Sequence, residues 1–209
     1  MTLNTVKGFL DNTEGEELAK IAKQCSKLGP CLEIGTYCGK SALIIGSVCK
    51  KNKNVLFTID HHTGSEEHQL GEEYHDSDLF DQNISCFNSL PEFIRNLKKS
   101  NLANFVLPIV ADSKEISKNW EIPLGMVFID GGHSRESANA DYTNWVPHIM
   151  KSGFLLIHDV FPDPKDGGRP PYEIFCKAKE SGNFEEISLT RSLAVSYTHL
   201  RAHETLRYR

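Results

Sequence analysis

Cys31-Leu-Glu-Ile-Gly-Thr-Tyr-Cys-Gly-Lys-Ser41 carries the clearest structural signal in the chain. It opens with a four-residue apolar run, 31–34, that predicts a short buried strand. Gly35 and Gly39 follow, and glycine lets a backbone turn tightly and approach a ligand closely. Small residues then lead into an apolar helix predicted over 41–49. A strand, a glycine turn and a helix in this order are typical of the first unit of a doubly wound α/β sheet.

The same alternation continues along the chain. Further strands are predicted at 55–59, 105–110, 126–129 and 154–157, with a closing hairpin at 184–189 and 192–195. Helices are predicted at 13–25, 84–97, 134–149 and 172–179, and Thr13 with Glu16 has the spacing of a capping box. Apolar strands between helices predict a parallel sheet covered on both faces. Pro108 predicts an edge position for the third strand, because proline cannot donate to the ladder.

Composition narrows the class of protein. The chain has 209 residues and a net charge of −5, without a basic run. This suits one domain and argues against nucleic-acid binding, which needs clustered Lys and Arg. With no apolar run of about 18 residues and no signal peptide, we expect no membrane association and a cytoplasmic location. Six scattered cysteines predict reduced thiols. A small molecule is the expected partner; the oligomeric state stays open, and a homo-oligomer is compatible with it.

The last stretch, 196–209, differs from the rest. It has no strand alternation and resembles the translated read-through of a sequencing adapter. We therefore expect the natural domain to span 1–195, with 196–209 as a non-native tail. The alternative is a short natural C-terminal helix.

A polar residue or a glycine ends each predicted parallel strand. In an open α/β sheet, ligands bind beyond the carboxyl ends of the strands. Strand ends are often polar simply because they meet water, which accounts for one or two such residues. Five together predict a lined crevice. These residues are Glu33 and Gly35, Asp60, Asp112, Asp130, and His158 with Asp159.

The glycine turn and two of the acids suggest a specific ligand. The helix after Gly39 begins with unsatisfied N–H groups that suit a carboxylate or phosphate. The spacing differs from the G-x-G-x-x-G of dinucleotide binders. Asp60 ends the second strand and is placed to accept hydrogen bonds from ribose hydroxyls; the alternative is a solvated acid or a cap. Asp112 suits either an adenine amino group or, with Ser113, the cap of a helix.

These motifs resemble those of a known family. Glu33-x-Gly-x-x-x-Gly, Asp60, Phe128-Ile-Asp-Gly-Gly-His133 and Ile157-His-Asp159 are similar to those of class I S-adenosylmethionine-dependent methyltransferases. More narrowly, the chain resembles the branch with macrocin-type O-methyltransferases and cephalosporin-biosynthesis methyltransferase-like proteins, over about 13–195. The resemblance implies a Rossmann-like seven-stranded sheet of order 3-2-1-4-5-7-6 with the seventh strand antiparallel. It implies S-adenosylmethionine as cofactor, bound by Glu33, Gly35, Thr36, Gly39, Ser41, Asp60, Asp112 and Asp130.

The implied strand order also brings two acids together. The fourth and fifth strands become neighbours, so Asp130 and Asp159 reach the same rim and can share a divalent cation such as Mg²⁺. Metal-using relatives place oxygen donors at positions 130, 158 and 159. His158 departs from that pattern and shifts the preference toward Mn²⁺, Fe²⁺ or Zn²⁺. Alternatively, His158 acts as a base without metal. Because neighbouring strand residues point to opposite faces, only one of this pair is expected to face the site.

His133 lies on the same rim and suits a general base on an acceptor hydroxyl, with a helix-start role as the alternative. His61 and His62 follow Asp60 and are expected to be solvated, with a place in the lining of the pocket as the alternative. The loop 61–81 and the segment 162–171 are expected to cover the acceptor. The predicted reaction is methyl transfer to a small-molecule hydroxyl, with catalytic residues His133, His158 and Asp159. N-methylation stays open.

Two other classes of function compete with this prediction. A nicotinamide-dependent oxidoreductase uses a similar sheet, but the chain lacks the second glycine of the dinucleotide pattern. A non-catalytic cofactor-binding module is the other rival. Such a module has no need of Asp130 or of the pair His158 and Asp159, so these residues favour an enzyme.

Overall fold

The computed structural model describes residues 5–65, 68–69, 71–72 and 75–199. The strands are β1 (Cys31–Ile34), β2 (Leu56–Ile59), β3 (Phe80–Asp81), β4 (Cys86–Phe87), β5 (Val106–Ile109), β6 (Leu124–Ile129), β7 (Ile149–Ile157), β8 (Phe184–Thr190) and β9 (Leu193–Thr198). The helices are α1 (Asn12–Cys25), α2 (Lys40–Lys51), α3 (Leu90–Lys99), α4 (Ser113–Ser117), α5 (Arg135–Trp145) and α6 (Pro170–Glu180). Short 3₁₀ turns occupy Ser77–Leu79 and Val146–His148.

Seven of these strands form one sheet in the order β5-β2-β1-β6-β7-β9-β8. Strands β5, β2, β1, β6 and β7 are parallel, while β9 runs antiparallel to both of its neighbours. Numbered within this sheet alone, the order is 3-2-1-4-5-7-6, so the predicted topology is confirmed. Pro108 lies on β5 at the edge of the sheet, as its missing N–H requires.

Two apolar clusters cover the two faces of the sheet. The alternation of side chains sends Met126 and Phe128 of β6 into the cluster beneath α1, α2 and α3. Val127 and Ile129 point the other way, into the cluster that includes α5 and α6. All six cysteines are unpaired and four of them are buried, which agrees with the prediction of reduced thiols. In the described ranges, no helix has both the length and the apolar character that crossing a membrane demands.

The helix predicted over 84–97 is wrong in its first part. Strands β3 and β4 form a small antiparallel hairpin over 80–87, and helix α3 begins only at Leu90. Pro91 then lies in the first helical turn, where a missing N–H costs no hydrogen bond. The cap of α1 also differs from the prediction. Asp11, rather than Thr13, caps the helix, and Glu14 completes the capping box by accepting from the Asp11 backbone N–H.

The C-terminal boundary also needs a correction. Strand β9 continues to Thr198 because Ser196 and Tyr197 pair with Leu155 and Phe154 of β7. Positions 196–198 are therefore part of the sheet. Positions 200–209 lie outside the described residues, so a non-native tail over that stretch remains a prediction. Within the loop predicted over 61–81, positions 66–67, 70 and 73–74 likewise lie outside the described residues.

Gly35 occupies a backbone conformation that only glycine accepts without cost. Its φ is +81°, and a Cβ built on it would lie 2.0 Å from the backbone oxygen of Asp130. Gly182 has a similar φ of +69° but open space around it. Replacing Gly182 by alanine should therefore cost only the left-handed strain, about 1–2 kcal/mol of unfolding free energy. Gly35→Ala adds a backbone clash, so we expect it to lower the free energy of unfolding by about 2–5 kcal/mol in total.

Chemical denaturation of the two variants measures this difference. If Gly35→Ala destabilises the protein no more than Gly182→Ala, then the close approach of the glycine turn to β6 does not exist in solution.

Candidate active site

The carboxyl ends of four parallel strands align at one rim of the sheet. Ile34 pairs in register with Ile59 and with Ile129, and Ile129 pairs with Ile157. The ladder continues one step further, since the Asp130 N–H donates to the Ile34 carbonyl at 2.8 Å. The residues just after these strands therefore sit side by side. They are Gly35, Asp60, Asp130 and His158, four of the positions predicted from the sequence.

Asp60 ties the glycine turn to the end of β2. Its Oδ2 accepts from the backbone N–H groups of Thr36 at 2.8 Å and Tyr37 at 2.9 Å. Its Oδ1 accepts from the His62 N–H at 2.7 Å. An ionised carboxylate has about four acceptor positions, so these bonds leave room for about one more. The turn and the acid are adjacent, as predicted; contact with a ribose remains a prediction.

Glu33 is a buried acid whose carboxylate accepts no hydrogen bond of normal geometry from the described residues. Both of its carboxylate oxygens and the Thr36 hydroxyl are buried and lack a hydrogen bond within the described residues. Burial raises the pKa of Glu33 to about 8, with the charges of Asp130 and Asp60 adding to the effect and the Ser41 and Thr36 hydroxyls opposing it. A buried polar atom without a partner is costly, so this pair of oxygens suits a cationic ligand group.

The end of β7 brings His158 and Asp159 to the same place. Asp159 has a φ of +56°, which breaks the strand alternation. The His158 Nδ1 therefore lies 3.0 Å from Asp130 Oδ1 and also 3.2 Å from Asp159 Oδ2. The expectation that only one of the pair faces the site is wrong, because it assumed a regular strand. The three ligand atoms lie within 4.8 Å of one another, close enough to hold a metal ion.

Burial and neighbouring charges shift the pKa values of His158, Asp159 and Asp130. Burial alone would lower the pKa of His158, but Asp130, Asp159 and Glu14 hold it well above its ordinary value. Burial would likewise raise the pKa of Asp159, yet hydrogen bonds from His133 and His158 hold it well below its usual range. Asp159 is therefore an ionised acceptor at neutral pH. Burial raises the pKa of Asp130, with His158 opposing the effect.

His133 completes the rim. Its Nε2 lies 2.9 Å from Asp159 Oδ2, and 34% of its side chain is exposed. The cap of α5 is formed by Ser134, whose hydroxyl accepts from the Ser137 N–H at 3.2 Å. Capping is therefore not the role of His133. A histidine paired with an ionised acid and open to solvent can accept a proton from a bound molecule.

Asp112 and Ser41 lie where their sequence positions indicated. The Asp112 carboxylate caps α4 by accepting from the Glu115 N–H at 3.1 Å. This fulfils the capping alternative, while its contact with adenine stays a prediction. Ser41 is buried in the first turn of α2, which follows Gly39 at the helix N-cap.

Three features of the site were not predicted from the sequence. Glu14 is buried against His158, although only its position three residues after Asp11 hinted at any role. His62, expected to be solvated, is buried; its ring stacks on Phe93, and its Nδ1 lies 2.8 Å from the Ser89 hydroxyl. The segment before α1 contacts the glycine turn, since the ring of Phe9 lies 5.7 Å from the ring of Tyr37. Lys40 Nζ donates there to the Leu10 carbonyl at 2.6 Å.

Comparison with known proteins decides the family. A family model described as a methyltransferase domain matches residues 32–160, more than half of the chain. The chain belongs to the methyltransferase domain family. It is a class I S-adenosylmethionine-dependent methyltransferase, as the resemblance implied. The matched range includes the glycine turn, Asp60, Asp130 and Asp159.

Solved structures share the fold of this methyltransferase at low sequence identity. The O-methyltransferase NovP has a TM-score of 0.70 at 17% identity, over 90% of this chain and 80% of that one. TomG of Streptomyces achromogenes, solved with S-adenosylmethionine, has a TM-score of 0.62 at 14% identity, over 92% and 82%. An O-methyltransferase of Bacillus cereus, solved with S-adenosylhomocysteine, has a TM-score of 0.62 at 14% identity, over 94% and 85%.

Proposed function

We propose that this methyltransferase methylates a hydroxyl group of a small molecule, with His133 as the base. The observation that carries the proposal is the 2.9 Å contact between His133 and the ionised Asp159 at the strand rim. A neutral amine attacks through its own lone pair, whereas a hydroxyl gains nucleophilicity when a base takes its proton. A histidine–aspartate pair therefore favours an oxygen acceptor. The printed names of NovP and TomG, both O-methyltransferases, support the same class.

The residues at the rim fit S-adenosylmethionine. The Glu33 carboxylate, which accepts no hydrogen bond from the described residues, suits its ammonium group, and the acceptor position left on Asp60 suits a ribose hydroxyl. Gly35, Thr36, Gly39 and Ser41 surround the methionine part in this proposal, with Asp112 beside the adenine. When bound, the cofactor supplies an electrophilic methyl group on a sulfonium, and S-adenosylhomocysteine is the leaving group. The protein's part is then mainly to place the acceptor oxygen in line.

The proton follows a defined route. Since Asp159 is ionised, the hydrogen of the contact belongs to His133 Nε2, which donates to Asp159 Oδ2. In this proposal, the second ring nitrogen of His133, Nδ1, takes up the proton of the acceptor hydroxyl. Asp159 orients the imidazole and stabilises the imidazolium that forms.

The donor set at the rim also fits a divalent cation. Octahedral coordination at about 2.1 Å places neighbouring ligand atoms about 3.0 Å apart. The His158 Nδ1 lies near this spacing, at 3.0 and 3.2 Å, from the Asp130 and Asp159 carboxylates, and a cation bound there would displace the proton that these acids hold on Nδ1. One imidazole with two carboxylates favours Mn²⁺, Fe²⁺ or Zn²⁺ over Mg²⁺. The cation would lower the pKa of the acceptor hydroxyl, so that His133 would remove its proton at a smaller cost in free energy.

Labelled methyl transfer tests the reaction class. The protein is incubated with S-adenosylmethionine that carries a ¹³C-methyl group and with matched sugar, phenol and amine acceptors. We expect the label on oxygen, at a methyl shift typical of an ether. Transfer to amines alone would contradict the proposed base chemistry, and an absence of transfer to every acceptor would contradict the small-molecule acceptor.

The metal is tested separately. We expect Mn²⁺ to bind once per chain and more tightly than Mg²⁺, and Asp130→Ala to lose this binding. Titration followed by electron paramagnetic resonance measures the free Mn²⁺ directly. An unchanged Mn²⁺ titration in Asp130→Ala would place the ion elsewhere, and enzyme turnover that a chelator leaves untouched would remove the metal from the reaction.

A further inference from the structure

Glu14 is a fully engaged acid in the interior of the protein. Its side chain is 3% exposed. Its Oε1 accepts from the backbone N–H and the hydroxyl of Ser192 at 2.9 and 2.8 Å. Its Oε2 accepts from the Asp11 N–H at 3.0 Å and lies 3.1 Å from His158 Nε2. These four contacts use about all the acceptor positions that a carboxylate has.

Helix capping alone does not explain this placement. A glutamate at the third position of a helix completes a capping box while its side chain remains in water. The side chain of Glu14 is instead buried, where α1 packs against the turn before β9 and the end of β7. Burying a carboxylate is costly unless it is paired and fully hydrogen-bonded. Its contact with His158 is the one that reaches the rim.

The contact fixes which side of the His158 ring faces the rim. A carboxylate only accepts, so Nε2 donates to Glu14. The ring then turns Nδ1 toward Asp130 and Asp159, at 3.0 and 3.2 Å. Histidines that bind metals commonly donate their second N–H to a carboxylate in this manner.

We propose that Glu14 is a positioning residue for the reaction. Through its hydrogen bond with His158 Nε2, Glu14 orients the imidazole. Nδ1 then faces the cation that Asp130 and Asp159 would hold. The inference rests on the proposed function, because that function assigns the cation and the methyl transfer to the rim. It adds a residue from α1, 144 positions away along the chain from the histidine it orients.

The test compares Glu14→Gln with Ser192→Ala as a matched control. The glutamine keeps the shape but offers a single acceptor oxygen, so it cannot satisfy both His158 and Ser192. The alanine removes one hydrogen bond to Glu14 and leaves the contact with His158 in place. We expect Glu14→Gln to weaken binding of Mn²⁺ alone by about 10–100-fold. We expect Ser192→Ala to stay within about threefold of the wild type.

A second readout does not depend on metal or activity. Long-range ¹H–¹⁵N spectra of the wild-type imidazoles, assigned with His158→Gln, should show the hydrogen-bonded proton of His158 on Nε2. Its signals should move in Glu14→Gln and stay in place in Ser192→Ala. An unprotonated Nε2 in the wild type overturns the inference without any variant having to fold.

The two proposals fail in different ways. If the wild type binds no Mn²⁺, the metal in the proposed function is wrong, and the ring signals alone decide the role of Glu14. If Glu14→Gln binds Mn²⁺ like the wild type and its His158 signals are unchanged, the positioning role is wrong, whatever the enzyme methylates.

Discussion

Replacing His133 by asparagine is expected to lower kcat by about 10²–10⁴-fold, the usual contribution of a general base. Asparagine retains a polar side chain near Asp159 but cannot take up a proton. The affinity for S-adenosylmethionine should change little, because Glu33 lies on β1 and Asp60 directly follows β2, whereas His133 lies between β6 and α5. Initial rates with the best acceptor from the methyl-transfer screen give kcat, and calorimetry gives the cofactor affinity.

His199→Asn is the matched control for this loss. His199 is an exposed histidine that pairs with Glu185. It follows β9 at the end of the sheet opposite to the rim, since β9 runs antiparallel to β7. Its replacement should leave kcat unchanged. A kcat of His133→Asn within tenfold of the wild type would mean that another group accepts the proton.

Replacing Glu33 by glutamine is expected to weaken S-adenosylmethionine binding strongly. Removing one charge of a buried ion pair costs about 2–5 kcal/mol, which corresponds to a rise in Kd of about thirtyfold or more. Glu16→Gln on the exposed side of α1 is the control, and its Kd should equal that of the wild type. Isothermal titration calorimetry measures all three proteins.

The pH dependence of cofactor binding gives the same residue a second test. With a pKa of about 8 before the cofactor binds, Glu33 is largely protonated at pH 6 and must lose its proton to pair with an ammonium. Cofactor affinity in the wild type should therefore rise between pH 6 and 8, by at most about tenfold per pH unit. The rise should disappear in Glu33→Gln. A wild-type affinity that is flat over this range would contradict the pairing.

Most of the fold could be predicted because the sequence pattern and the topology agree. Apolar runs ending in a glycine or an acid indicated parallel strands, and Pro108 indicated the edge. The error at 84–97 came from extending a helical pattern over the turn of a hairpin and its second strand, β4. The shift of the cap from Thr13 to Asp11 shows that two plausible capping boxes can overlap. Backbone geometry, rather than residue type, decides between them.

The site was predictable to the extent that it follows from strand order. Asp60, Asp130 and Asp159 meet because their strands end at one rim. Glu14 was not predictable, since its contact with His158 depends on how α1 packs against the turn before β9. The convergence of His158 and Asp159 depends on one left-handed residue after β7, and aspartate enters that region only occasionally.

A crystal structure with S-adenosylhomocysteine bound tests the central claim most directly. We predict that the amino nitrogen of the ligand lies within about 2.7–3.2 Å of a Glu33 carboxylate oxygen, and a ribose hydroxyl at the same distance from Asp60. A ligand bound elsewhere, or one with its amino group away from a still unpartnered Glu33, would contradict it.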